Sequence, residues 1–319
     1  MILAKQWPTK NNIYERVLLE AGKETTDLVV IDADLARASQ TKLFMEKFPS
    51  RYFDVGIAEQ NMTGIAAGFA LSGRPVIIST FAVFLSKRAC DQVSVSIAYT
   101  ELNVKLLGIE AGLSSGRNGA THQAVEDIAI MRSMPNMVVM APLDVVEIRA
   151  AVKAAIAHQG PVYMRMRRGE TPVIFDDDYD FRWGKGVMMR EGADVTIVST
   201  GIMTEEALLA ADMLAGQGVD ASVCHLHTIK PLDEALIVEC AQKTGALVTA
   251  ENHSILGGLG SAVAEVLCEK CPAPMTRIGI RDLFGETGSP EYLFKKYRLT
   301  PQDIAEGAMA VINRKTSLR

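Results

Sequence analysis

The chain has 319 residues, 48% of them hydrophobic and 22% charged, with a formal net charge of -5 and a sequence pI near 5.7. Such a chain is long enough for two ordinary domains with sizeable cores. No Lys/Arg run exceeds the short "RMRR" at Arg165–Arg168, which argues against a nucleic-acid or membrane-surface role.

No apolar stretch reaches the ~18 residues that a membrane span needs. The first residues, "MILAKQWPTKNN", lack a secretory apolar segment. The five cysteines are odd in number and widely scattered, which fits reduced thiols better than a disulfide framework. The expected location is therefore the cytoplasm. Cys268 and Cys271 form a C-x-x-C, but without a second pair a structural reading is favoured over a zinc or redox site.

In chain order, β-branched runs predict strands at Leu28–Ile31, Val76–Ser79, Val104–Ile109, Met137–Met140 and Val162–Met166. Between them, helical patterns cover Glu15–Ala21, Gln60–Leu71, Val83–Tyr99, Ala124–Met131 and Val145–Ala157. The acidic, aperiodic "FDDDYDFRWGKG" (Phe175–Gly186) reads as a linker. Strands are then expected at Val195–Ser199, Ala221–Cys224, Leu247–Thr249 and Thr276–Ile280. Helices follow at Thr204–Ala215, Leu232–Gln242, Gly258–Glu269, Pro290–Lys296 and Pro301–Ile312. Continuous apolar strands alternating with helices imply an α/β protein of two three-layer domains, residues 1–180 and 187–319, with mostly parallel sheets covered by helices on both faces.

Ligands in such folds bind beyond the carboxyl ends of the strands, which directs attention to "DADLARAS", "STFAVF", "EAGLSSGRNGATHQ" and "RRGE" in the first half. Glu59 opens a helix that has no other charged residue up to Gly73. Both faces of that helix are expected to be covered by protein. Its Gly64, Gly68 and neighbouring alanines suggest a tight helix–helix contact between subunits, with Glu59 at a dry interface where an acid needs a partner. An acid in a first turn can also be a simple dipole partner. The glycine-rich loop "GLSSGRNGATHQ" allows close backbone approach to a ligand, but lacks a phosphate-loop ending. His122 is expected near the N-cap of the helix after it. Alternation puts Arg165 and Arg167 on one strand face and leaves Arg168 best placed for an anionic group, although a solvated edge is the commoner case for such a cluster. His225 and His227 share a face but have no third metal ligand nearby.

Taken together, "RYFDVGIAEQNMTGIAAGFALSGRPV", "STFAVFLSKRACDQV", "GATHQAVEDIAIMRSMPNMVVMAPLD", "HTIKPLD" and "FGETGSPEYLFKKYRLTP" resemble the transketolase family of thiamine-diphosphate enzymes across nearly the whole chain. The family's diphosphate-binding domain carries a GDG signature, and "GDG" occurs nowhere in this sequence. The resemblance therefore implies one half of a split transketolase, the half built from the pyrimidine-binding and C-terminal domains. A partner chain would supply the diphosphate-binding domain and Mg2+, in a heterotetramer of two copies of each chain. It also implies that no metal ligand lies on this chain.

The resemblance assigns Glu59 to N1′ of the cofactor's aminopyrimidine, Phe84 to stacking on that ring, Phe81 to its pocket and Asp34 to the thiazolium side. It places His122 at the donor's reacting hydroxyls, Arg168 and Ser39 at the sugar phosphate, and Asn118 where an aspartate reads hydroxyl configuration. Glu110, Arg117 and Asn118, together with Thr9 and Lys10, depart from the family pattern. The expected donor is accordingly open among xylulose 5-phosphate, apulose 4-phosphate and a sulfo-sugar. Two other readings are the E1 β subunit of a 2-oxo acid dehydrogenase and a non-catalytic regulatory subunit. "GIAEQN" followed by "GATHQ" favours transketolase.

Overall fold

A computed structural model describes residues 7–167 and 169–317. In the first half the strands are β1 (Thr9–Lys10), β2 (Val29–Asp32), β3 (Tyr52–Asp54), β4 (Val76–Phe81), β5 (Val104–Ile109), β6 (Val138–Met140), β7 (Val162–Met166) and β8 (Thr171–Pro172). In the second they are β9 (Val187–Arg190), β10 (Val195–Ser199), β11 (Ala221–His225), β12 (Thr228–Lys230), β13 (Leu247–Ser254) and β14 (Met275–Ile280).

Among the described residues one sheet has the order β12-β6-β7-β5-β4-β2-β3 and the other β14-β13-β10-β11-β9. Both are parallel except at one edge, where β12 and β9 run antiparallel to their neighbours. A small antiparallel pair, β1–β8, stands apart. The α/β class with mostly parallel sheets is therefore as expected. The antiparallel edges depart from expectation, and β12 lies in the first sheet although its sequence falls in the second half.

Alternation along β2 divides the first core. Leu28 and Val30 join Tyr14, Leu18, Ile148 and Val152 on one face. Val29 and Ile31 join Met62, Ala66, Val93 and Met131 on the other, as a period of two requires. The helices that cover these faces include α1 (Ile13–Glu24), α2 (Lys42–Lys47), α3 (Glu59–Leu71), α4 (residues 84–98), α5 (Asp127–Ser133) and α6 (Val145–Ala157). The second sheet is covered by α7 (Met203–Ala215) and α11 (Pro301–Ser317) on one face. On the other lie α8 (Glu234–Thr244) and α9 (Leu259–Lys270). The short α10 (Pro290–Lys296) closes the set. Side-chain oxygens cap α6, α8 and α10: Asp144 accepts from Glu147 N at 2.8 Å, Asp233 from Leu236 N at 3.4 Å and Ser289 from Tyr292 N at 3.2 Å.

Two helix expectations change. The Val83–Tyr99 helix is wound wide at Phe84–Arg88 and again at Val93–Ala98, with a regular stretch at Cys90–Gln92 between; π turns of this kind concentrate at functional sites. The helix expected from Ala124 begins at Asp127. The segment read as a linker is packed: the Phe175 N–H donates to Asp144 Oδ2 at 2.8 Å, beside that of the preceding Ile174 at 2.7 Å, and Tyr179 OH donates to Glu147 Oε1 at 2.8 Å. Among the described residues no helix is long and apolar enough to cross a membrane.

Candidate active site

The carboxyl ends of β2, β4, β5 and β7 open on one edge of the first sheet, and the candidate residues gather there. Glu59 begins α3, after β3 and a short turn. Its side chain is 1% exposed. Oε2 accepts from Arg88 Nη1 at 2.8 Å, while Oε1 is buried and has no hydrogen-bond partner. A buried carboxylate oxygen without a donor is costly, so this atom is chemically poised to accept a hydrogen bond from a ligand. Arg88, which the sequence pattern does not single out, sets its guanidinium 4.1 Å from the centroid of the Phe84 ring. The wide turn at Phe84–Arg88 carries both residues.

Phe81, at the end of β4, stands edge-on to Phe84 with centroids 5.8 Å apart. The His122 ring lies 5.5 Å from Phe81 and 5.2 Å from Phe84. His122 is half-buried, with Nδ1 3.0 Å from Thr121 Oγ1. It ends a tight turn at Ala120–His122, ahead of the helix cap at Glu126, so its expected position near an N-cap is corrected. The chain thus brings Phe81, Phe84 and His122 into one cluster, and Arg88 links that cluster to Glu59.

Asp34 is exposed just past β2 with φ of 60°, and its N–H donates to Asp54 Oδ1 at 3.0 Å. Ser39 turns inward: its hydroxyl donates to Asp32 and contacts Leu35 O and Thr41 Oγ1 at 2.9 and 3.2 Å. With that side chain buried and engaged, the geometry gives Ser39 no evident reach to a sugar phosphate. Asn118 is exposed and donates through Nδ2 to Glu110 Oε2 at 3.3 Å. Two of the departures from the family pattern are thus partners of one another. Arg168 lies outside the described residues.

The remaining basic cluster is not a solvated edge. Arg165 is buried against Asp127 at 2.8 Å, and Arg167 pairs with Glu205 of the second half. His225 Nε2 donates to Glu147 Oε2 at 2.9 Å and its Nδ1 lies 2.8 Å from Thr204 Oγ1, a structural role. All five cysteines are free. Among the described residues no group of three or more His, Cys, Asp or Glu is placed to hold a metal ion.

An orphaned acid oxygen, an apolar shelf of two phenylalanines and a histidine thus gather at the carboxyl edge of a parallel sheet in an α/β protein. Similarity to known proteins gives that architecture its family. Residues 8–173 match the transketolase pyrimidine-binding domain, and residues 184–304 the transketolase C-terminal domain. The chain is 48% identical over 302 residues to 6-deoxy-6-sulfo-D-fructose transketolase subunit SqwH of Clostridium sp. (strain MSTE9), covering 95% of this chain and 94% of that one. It is 36% identical over 298 residues to one of the subunits of the apulose-4-phosphate transketolase of Phocaeicola vulgatus, covering 93% and 95%. Among solved structures it superposes with TM-score 0.89 and 46% identity on a split-gene transketolase described as an inactive beta4 tetramer, covering 95% of this chain and 98% of that one. The chain belongs to the transketolase family.

Proposed function

We infer that this chain is the pyrimidine-binding half of a split, thiamine-diphosphate-dependent transketolase that moves a two-carbon ketol unit from a ketose phosphate or related ketose to an aldose phosphate. A partner chain would bring the diphosphate-binding domain and the Mg2+ held there, in a cytoplasmic heterotetramer of two copies of each chain. The orphaned Glu59 Oε1 carries the reading, because the residues around it fit an aminopyrimidine ring. When bound, the cofactor supplies the carbon centre that takes up and passes on the two-carbon unit.

This chain's own part is orientation and electrostatics. Glu59 would accept the hydrogen of the ring nitrogen through Oε1, with Arg88 holding Oε2 and balancing its charge. Phe81 and Phe84 would flank the ring and exclude water from it. The contact of His122 Nδ1 with Thr121 leaves Nε2 for a donor hydroxyl. Asp34 is assigned to the thiazolium side, Asn118 to the donor hydroxyls and Arg168 to the substrate anion. The relatives act, by their names, on a sulfofructose and an apulose phosphate. A phosphorylated or sulfonated ketose is accordingly the donor class we favour.

Glu59→Ala in the reconstituted two-chain enzyme should lower ketol transfer by about 10²–10⁴-fold while the assembly survives. Turnover close to that of the unaltered enzyme would overturn this reading.

A further inference from the structure

The loop that carries Asn118 and His122 is held by the other domain. Asn252, on β13 and 3% exposed, accepts the N–H of Leu113 through Oδ1 at 3.0 Å, and its Nδ2 lies 3.5 Å from Ser114 Oγ. Asn252 is itself pinned, since its carbonyl accepts from Arg165 Nη2 at 3.0 Å, and that guanidinium is clamped by Asp127. Gly112 has φ of 65°, and a Cβ there would fall 2.4 Å from the Asn252 side chain, so glycine alone permits the approach.

Two further grips come from residues 285–288. Gly288 N donates to Gly116 O at 3.4 Å at the loop's apex. Gln123 Nε2 donates to Glu286 O at 2.9 Å at its end. Gly285 approaches so closely that a Cβ would fall 1.6 Å from Gln123 Oε1. Within the loop, Ser115 Oγ donates to the carbonyl of His122 at 2.8 Å, so displacement of the first turn is passed directly to the histidine.

We propose that the C-terminal domain is the template for the substrate loop, with Asn252 and Gln123 as positioning residues that set where His122 and Asn118 meet the donor ketose. This rests on the assignment of those two residues to the donor. Asn252 touches neither substrate nor cofactor; it acts through the Leu113 amide. A carboxylate at 252 could still accept that N–H, whereas an isobutyl side chain could not.

The test uses the assembled two-chain enzyme with Asn252→Leu, Asn252→Asp and Gly285→Ala. Asn252→Leu should lower kcat/KM for the donor about 10–100-fold, the scale of a misplaced reacting group, while cofactor affinity stays within about twofold. Amide hydrogen exchange at Leu113 should quicken in the same variant. Asn252→Asp should restore most of both, and Gly285→Ala, acting through Gln123, should repeat the kinetic loss. Unchanged kcat/KM and unchanged Leu113 exchange in Asn252→Leu would overturn the proposal. So would a fall in cofactor affinity that accounts for the whole kinetic loss, because that marks a purely structural role. Should Leu113 exchange respond while the unaltered enzyme performs no ketol transfer, the template stands and the transketolase reading falls.

Discussion

A carboxylate removed from water needs donors for both oxygens, and Glu251 and Glu59 contrast in how far that need is met. Glu251, fully buried in β13, accepts from Leu259 N at 2.7 Å and Gly260 N at 2.9 Å and so caps α9 from a neighbouring strand. Burial nevertheless outweighs those bonds and pushes its carboxyl up to about 7 from an ordinary 4.5. The folded state therefore binds the proton more tightly than the unfolded chain. Its contribution is complete below about pH 4.5 and is lost as pH rises through about 7, a loss of about 3 kcal/mol. Denaturant titrations of Glu251→Gln should show a flatter stability profile than the unaltered chain across that interval. Parallel profiles would mean that the carboxyl is not protonated there.

Glu59 is the contrasting acid, with Arg88 on one oxygen and nothing on the other. Its oddity is legible in the sequence, since one acid heads a helix otherwise without charge. Arg88 is not, because its guanidinium reaches Glu59 across 29 residues of sequence and only the wide turn after β4 aims it there.

At the scale of elements, α3 decides how the half-site meets its surroundings. The outer face of α3 carries Gln60, Asn61, Gly64, Gly68 and Leu71, and is open in this chain, with Leu71 and neighbouring Ile57 each 73% exposed. The expectation of cover on both faces thus holds on one face of the chain alone. A Cβ at Gly64 or Gly68 would meet no atom within 4 Å, and neither glycine has a positive φ. Gly64→Ala should therefore stabilise the isolated chain by about 0.4–1 kcal/mol through propensity and a less flexible unfolded state. If α3 packs closely against another subunit, the same methyl should weaken assembly, read as a larger dissociation constant in sedimentation. Gains in both stability and assembly would remove α3 from any close contact.

Regular elements with a strong period are legible in the sequence, including α6, β5 and β7 within a residue. The site loop is legible as glycine-rich and ligand-facing. Its two short turns and its hold on β13 are not, because they depend on a partner 139 residues away. No local pattern encodes such a contact.

The whole molecule is less divisible than its sequence suggests. The acidic segment at 175–186 reads as a boundary because it is polar and aperiodic, yet it packs on Asp144 and Glu147. Well beyond that segment, β12 returns to pair with β6 of the first sheet, and Ala141 N donates to His227 O at 2.8 Å. Ile229 and Ala262 of the second half belong to the first half's core cluster. A strand distant in sequence thus completes the first sheet, and the two halves share a sheet and a core cluster.

Glu147 shows what that tie does energetically. It is fully buried in the first half, and its Oε2 lies 2.9 Å from Nε2 of His225 in the second. Burial alone would push its carboxyl up, but the His225 partner, the nearby His227 and the N–H of Leu143 together hold it below the usual range. A fragment of residues 1–180 would keep the acid and lose the imidazole that helps to hold it ionised. It would also expose β6 as a bare edge and open the core at Ile229 and Ala262. Against a domain stability of about 5–15 kcal/mol, those losses should leave the fragment without a cooperative transition. Calorimetry of the full chain should show one transition, and the 1–180 fragment should show none or aggregate. A fragment that melts cooperatively near the full chain's midpoint would mean that β12 and His225 are dispensable, and that the first half stands as a domain without them.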